Sequence, residues 1–161
     1  MKRHSIGAFG AMLVSLTTSA CGLFGSSGTT VGLVASPRTP AALGEVKTSR
    51  TSDQNTAVRV KVKHLAPPDR MAQGATTYVV WIRPLGVPNF RTDGERQPVA
   101  GADDSAAIFN LGGLRLTKDL DGELETVTPH KSFELFITAE ASSAVMAPTD
   151  KGILWTTVTA Q

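Results

Sequence analysis

Residues 44–159 consist of short apolar runs separated by turn-forming residues. Over residues 58–63, valines alternate with basic side chains, which is the period of two expected of a strand with one buried face. The run at residues 76–82 is apolar on both faces, so we expect it to lie inside a sheet. Proline and glycine separate the runs, because proline cannot donate to a sheet ladder and glycine accepts turn geometry.

The spacing of these runs predicts an all-β fold. The predicted strands are residues 44–51, 58–62, 76–82, a short one near 97–100, 106–111, 114–117, 123–128, 133–139 and 153–159. Gly112-Gly113 indicates a turn or bulge, and Asp121-Gly122 is the strongest hairpin signal. Turn signals every ~8–12 residues favour an antiparallel, immunoglobulin-like β-sandwich of about seven to eight strands. A small β-barrel is the alternative.

The chain has a single cysteine, Cys21, so no intramolecular disulfide can join the two sheets. We therefore expect aromatic side chains to supply much of the core, since each buries about 150–250 Å². The candidates are Tyr78, Trp81, Phe109, Phe133, Phe136 and Trp155.

Four segments carry a resemblance to known proteins. They are Val-Lys-His-Leu-Ala-Pro-Pro at 62–68, Tyr-Val-Val-Trp-Ile at 78–82, Asn-Leu-Gly-Gly-Leu at 110–114 and Phe-Ile-Thr-Ala-Glu at 136–140, with Pro148 beyond. There the chain resembles uncharacterised bacterial lipoproteins with a single β-sandwich domain. More distantly, it is similar to the extracytoplasmic domain of anti-sigma factors, which share a Tyr-x-Val-Trp strand and a Gly-Leu turn. The resemblance implies the fold and carries no catalytic motif. The sequence shows neither the transmembrane helix nor the sigma-binding segment of those regulators.

The first 20 residues have the order of an export signal. A basic start at 2–4 precedes an apolar run at 6–16 and a patch of small residues that ends at Cys21. An apolar run of about 7–15 residues suits a signal peptide and is too short to span a bilayer, which needs ~20. We therefore predict a lipoprotein signal peptide over residues 1–20 and a lipid on the Cys21 thiol. The alternative is an ordinary signal peptide that leaves a free thiol, because Thr18 stands where the lipoprotein cleavage motif usually has Leu.

The predicted anchor places the protein at the bacterial cell envelope, with the membrane as a partner through the lipid. Gly22 follows the cysteine, whereas Asp there retains enteric lipoproteins at the inner membrane, so we expect the outer membrane. Residues 21–43 are rich in Gly, Ser and Thr and predict a lipidated N-terminus with a flexible tether. Residues 44–161 would form the sandwich domain. Three apolar residues in the tether could dock onto this domain: Val31, Leu33 and Val34. The sequence therefore does not fix where the domain begins.

The charge balance argues against nucleic acid as a partner. Lys2 and Arg3 leave with the signal, so 14 of the 16 basic residues remain against 14 acidic ones. A neutral chain offers no long-range attraction to phosphates.

Candidate metal ligands are few and scattered. Imidazole and thioether groups suit copper, and the chain after the signal offers His64, His130, Met71 and Met146, none of them in a local ligand motif. Acidic residues at 119–125 superficially resemble a calcium loop, but Gly122 comes too early for the EF-hand spacing. We predict no metal site and no cofactor.

Candidate catalytic groups are equally weak. Asp103 and Asp104 are sequence neighbours and usually point apart, whereas a glycosidase needs two facing carboxyl groups. Ser132 follows His130 and Lys131, but consecutive strand residues do not converge on one substrate. No Gly-x-Ser-x-Gly or phosphate-binding glycine motif is present. We predict no catalytic residue and no enzyme activity.

The expected function is therefore a non-catalytic, membrane-anchored envelope lipoprotein with an interaction or structural role. Strand addition at an exposed sheet edge would bring in an envelope protein partner. Residues 58–62 are expected to form an outer strand that Lys61 and Lys63 guard against unwanted pairing. The alternative is a periplasmic ligand- or metal-binding module that uses His64 and His130.

Overall fold

The computed structural model describes residues 28–85 and 108–159. Within them the chain forms ten strands and one four-residue helix, α1 (Pro68–Met71). The strands are β1 (Thr29–Gly32), β2 (Val34–Ala35), β3 (Leu43–Arg50), β4 (Thr56–Lys63), β5 (Thr77–Pro84), β6 (Phe109–Gly113), β7 (Arg115–Leu116), β8 (Gly122–Thr128), β9 (Ser132–Glu140) and β10 (Leu154–Thr159). None of the helices in these residues has the length and apolar character needed to cross a membrane.

The strands form two antiparallel five-stranded sheets that are not closed into a barrel, which confirms the predicted sandwich. Sheet A has the order β1-β3-β4-β8-β7, and sheet B has the order β2-β10-β9-β5-β6. The predicted strands at 44–51, 58–62, 76–82, 106–111, 114–117, 123–128, 133–139 and 153–159 all correspond to observed ones. The strand predicted near 97–100 lies outside the described residues.

The core lies between the two inner faces, where the alternating pattern directs apolar side chains. Val58, Val60 and Val62 of β4 face Tyr78, Val80 and Ile82 of β5 and Phe133, Leu135 and Ile137 of β9 in one buried cluster. At about 25 cal/mol per Å² of buried apolar surface, each of these side chains contributes ~1.5–3 kcal/mol.

Three of the six predicted core aromatics are fully buried: Tyr78, Trp81 and Phe133. The prediction is wrong for Phe109, which is 42% exposed and packs against the ring of His130 at a centroid distance of 5.1 Å. Phe136 and Trp155 are half-buried. They lie on the outer face of sheet B, because they alternate with the inward-facing side chains of β9 and β10.

Residues 29–43 belong to the sandwich rather than to a tether, so the boundary predicted at residue 44 is too late. β1 pairs with β3 in sheet A, and β2 pairs with β10 in sheet B. Between them, the Leu33 backbone N–H donates to Gly44 O at 2.8 Å. A Cβ at Gly44 would lie 2.6 Å from Leu33 Cδ1, so glycine is what allows this close approach.

At the opposite edge of the sandwich, the chain also passes between the sheets, from β6 in sheet B to β7 in sheet A. Buried Leu114 stands between these strands, and its backbone N–H donates to Tyr78 O at 2.8 Å. The register of β5 against β6 shifts between Val80 and Trp81, and Gly112 has φ +126°. The predicted bulge is therefore confirmed: Leu111 is the extra residue, and Gly112 beside it has a backbone conformation that L side chains rarely adopt.

β4 is the middle strand of sheet A, so the prediction of an outer strand at 58–62 is wrong. It pairs with β3 on one side and β8 on the other. Its outward side chains form ion pairs across the sheet, Arg59 with Glu125 and Lys61 with Glu123, the latter at 3.9 Å. The alternating charge therefore marks the solvent face of a central strand. β5 lies between β9 and β6, inside its sheet as predicted.

Candidate functional site

Cys21, the predicted lipidation site, lies outside the described residues. The described chain begins at Gly28, seven residues later. A chain of seven residues spans at most about 25 Å when fully extended. A lipid on Cys21 would therefore hold the sandwich close to the membrane.

The structure does not bring the histidines together. His64 follows the end of β4, where its backbone N–H donates to Asp121 Oδ1 at 3.2 Å. His130 lies in the turn after β8. The register pairs Val62 with Gly122 and Thr56 with Thr128, so these sites are at opposite ends of a strand about 25 Å long.

The methionines do not complete a site either. Met71, the last residue of α1, is buried, whereas Met146 is 92% exposed. Within residues 28–85 and 108–159, no three His, Cys, Asp or Glu side chains are grouped so that they could hold a metal ion.

The acidic residues at 119–125 do not converge. Glu123 and Glu125 point out of sheet A toward basic partners, and Asp121 accepts from the His64 backbone. Asp103 and Asp104 lie outside the described residues. Ser132 begins β9, and its backbone carbonyl accepts from Leu85 N at 3.0 Å.

The outer face of sheet B carries a cross-strand row of large side chains. The register places five residues side by side: Asn110, Trp81, Phe136, Trp155 and Val34. The segment 141–152, between β9 and β10, covers the first part of this row. Asn110 Nδ2 fixes that segment by donating to Ser143 O at 3.0 Å and to Val145 O at 2.8 Å.

A buried polar network holds segment 141–152 against the sheet. Trp81 Nε1 donates to Thr138 Oγ1 at 2.8 Å, and that hydroxyl donates to Glu140 Oε1 at 2.6 Å. Thr149 donates to the same carboxylate twice, from its backbone N–H at 3.0 Å and from its hydroxyl at 2.5 Å. Glu140 is only 1% exposed, so three hydrogen bonds compensate for the cost of removing its oxygens from water.

Beyond this cover, the second part of the row lines an open cleft of about 300 Å³. Its lining consists of Arg83, Ile108, Glu134, Phe136, Pro148, Asp150, Lys151, Gly152 and Trp155. Arg83 Nη1 contacts Glu134 Oε2 at 2.7 Å, and its guanidinium lies 5.8 Å from the centre of the Phe136 ring. Arg83 Nε is buried and has no hydrogen-bond partner in the described part of the chain.

An ion pair fixes the far wall of the cleft. Arg38 Nη1 donates to Asp150 Oδ2 at 2.8 Å, and its second terminal nitrogen donates to Met71 O. Burial alone would raise the pKa of Asp150. Hydrogen bonds from Arg38 and from the Lys151 backbone N–H, together with the charges of both residues, outweigh burial and hold that pKa below its usual range.

Two other depressions differ in chemistry. One of about 450 Å³ on the outer face of sheet A is lined by Lys47, Arg59 and Glu125 with small neighbours, and one of about 430 Å³ lies beside Arg115 and Glu123. Neither has an aromatic side chain in its lining. The cleft on sheet B is therefore the strongest candidate binding site among the described residues, although it is smaller.

Phe136 and Trp155 are predicted core aromatics, but the structure places them in the lining of the cleft. The alternation of buried and exposed side chains along the strand is the signal that places them on the outer face of sheet B. Leu154, Thr156 and Val158 are buried, so Trp155 between them must face outward.

Comparison of the chain with protein-family models, with curated proteins and with solved structures finds no match.

Proposed function

We propose that this protein is a non-catalytic lipoprotein of the bacterial outer membrane, in which a lipid on Cys21 anchors a β-sandwich with an interaction or structural role. The observation that carries the proposal is the signal-like order of residues 1–20, which ends at the only cysteine of the chain. An unpaired cysteine after an export signal needs a reason, and lipid attachment supplies one.

The position of β1 supports this arrangement. Thr29 pairs with Thr48 near the end of β3, so the chain enters the sandwich at the end that carries the turn after β3. Thr159, the last described residue, pairs with Ser132 at the same end. With at most about 25 Å of chain to the anchor, this end would face the membrane. The outer faces of both sheets would then remain open to a partner.

The edge of sheet A offers a binding mode for an envelope protein. β1 is the outermost strand and reads Thr-Thr-Val-Gly, without the lysine or proline that usually blocks pairing at an edge. An extended partner segment could add to this edge through backbone hydrogen bonds.

Replacing the cysteine tests the proposal. Cys21→Ser, expressed in a bacterial host, should move the protein from the membrane fraction to the soluble fraction, because the thiol that carries the lipid is gone. Ser26→Ala serves as a matched control, since it changes a nearby small residue and keeps Cys21, and it should remain in the membrane fraction. Retention of Cys21→Ser in the membrane fraction would contradict the proposal.

The alternative of a periplasmic ligand-binding module is favoured by one observation, the cleft lined by Phe136 and Trp155. Its metal-binding form has no such support, because His64 and His130 lie at opposite ends of the sandwich.

A further inference from the structure

The two tryptophans occupy the same cross-strand row but have different surroundings. Trp81 is fully buried, and its indole N–H donates to Thr138. Trp155 is half-buried and lines the cleft. The core does not require Trp155, because Leu154 and Val158 fill the inner face of β10. Its ring therefore forms part of the cleft wall, where it offers a flat surface to a ligand.

Phe136 lies next to Trp155 in the register and extends this aromatic surface. Gly152 packs beside it, since a Cβ added there would be 3.5 Å from Phe136 Cβ. The cleft that these residues line measures about 300 Å³, which is at the lower end of the ~300–1,000 Å³ typical of ligand sites. This volume suits a single ring, or one ring of a longer chain.

The charges that line the cleft balance one another. Two basic and two acidic side chains line it, Arg83 and Lys151 against Glu134 and Asp150. Arg83 pairs with Glu134 at 2.7 Å, and Arg38, which lies behind the lining, pairs with Asp150 at 2.8 Å. A balanced lining gives no net attraction to a phosphate or to another ion. It places the guanidinium donors of Arg83 beside the carboxylate acceptors of Glu134.

We propose that this cleft binds an uncharged sugar ring of a glycan. A sugar ring has C–H groups on its flat face, which pack against the negative face of an aromatic ring. Its hydroxyl groups both donate and accept, which matches a carboxylate and a guanidinium held next to each other. A lipid tail would displace water from these charged groups and offer them no hydrogen bond in return. The inference does not depend on the lipid anchor.

Titration of the purified full-length chain with uncharged oligosaccharides tests the proposal. The probes are maltotriose, a galactose trimer and an N-acetylglucosamine trimer, with inorganic phosphate and a glucuronic acid oligomer as charged comparisons. Calorimetry and tryptophan fluorescence are the readouts. We expect saturable binding of at least one uncharged sugar, with a change in the emission of Trp155, and no stronger binding of the charged probes.

Two variants locate the binding. Trp155→Ala should weaken it by about tenfold or more, which corresponds to ~1.4 kcal/mol. Gly152→Leu should block the cleft with the aromatic side chains still present, and the contacts around Gly152 leave room for a Cβ. Val127→Ala, on the outer face of sheet A, is the matched control and should bind like the unchanged protein. Thermal melting confirms that each variant is folded.

Three results would overturn the inference. One is the absence of saturable binding of every uncharged sugar at millimolar concentration. The second is tighter binding of phosphate or of the glucuronic acid oligomer. The third is unchanged sugar binding in folded Trp155→Ala and Gly152→Leu. Since the lipid on Cys21 plays no part, loss of the anchor in Cys21→Ser would leave all three results as they are.

Discussion

Tyr78 is the only tyrosine of the chain, so its ionisation can be followed alone. Its hydroxyl donates to Ala66 O at 2.6 Å. Burial raises its pKa to about 12, with the negative charge of Asp69 adding to the rise and Arg38 opposing it. The folded state therefore favours the neutral phenol more strongly than the unfolded chain, whose tyrosine ionises near ~10.

Absorbance titration of the phenolate should give an apparent pKa near 12 in the folded protein and near ~10 in denaturant. The stability that this group contributes is complete below pH ~10 and is lost as the pH rises toward ~12. Tyr78→Phe should remove this alkaline loss. Ionisation of Tyr78 near ~10 in a chain that circular dichroism shows to be folded would contradict the assignment.

Thr48 has a buried hydroxyl without a hydrogen-bond partner in the described part of the chain. Thr48→Val removes this unsatisfied group and should raise the free energy of unfolding by ~1–2 kcal/mol, measured by urea denaturation. Thr39 is the matched control, because its buried hydroxyl donates to Ile153 O at 3.1 Å. Thr39→Val should lower stability by ~1 kcal/mol. A loss of stability in Thr48→Val would show that its hydroxyl is satisfied.

The period of two predicts correctly which face of the sheet most side chains lie on. It does not predict which outward-facing side chains are buried by a segment outside their own strand. Trp81 and Trp155 both point out of sheet B, yet only Trp81 is buried, because segment 141–152 lies over it. The segment is held by Asn110, which is 33 residues from Ser143, and by the network in which Trp81 bonds Thr138, 57 residues away. No local pattern reveals it.

Among the elements, segment 141–152 depends most on a single side chain. Glu140→Ala removes the acceptor for Thr138 and for both donors of Thr149 and leaves a cavity. We expect a loss of ~2–4 kcal/mol in the free energy of unfolding. Hydrogen exchange measured by mass spectrometry should become faster in 141–152 before it does so in β5 and β9.

Glu134→Gln is the matched control for that variant. It changes another outward-facing glutamate of β9, whose ion pair with Arg83 is part-exposed, and should cost less than ~1 kcal/mol. Unchanged exchange of 141–152 in Glu140→Ala would show that other contacts hold the segment.

The positions of most strands could be predicted from the sequence, but the order in which they pair within each sheet could not. Alternation in β4 gave its limits and its buried face. Charged side chains look the same on an edge strand and on a central strand with one face in solvent, so the central position of β4 could not be inferred. β1 and β2 have only four and two residues, and they exist through pairing with β3 and β10. Their sequence therefore resembles a linker.

In the whole molecule, the chain passes from one sheet to the other at each edge of the sandwich. Residues 29–35 pass from sheet A to sheet B at one edge, and residues 109–116 pass from sheet B to sheet A at the other. The described chain begins and ends at one end of the sandwich. The aromatic cleft lies on a lateral face, so an anchor at Cys21 and a ligand on sheet B would not compete for space.

The mass of the N-terminal fragment of the protein, isolated from bacterial membranes, tests the anchor most directly. We expect a chain that begins at Cys21 and carries the added mass of a lipid on this residue. A chain that begins at another residue, or one that keeps an unmodified Cys21 thiol, would contradict it.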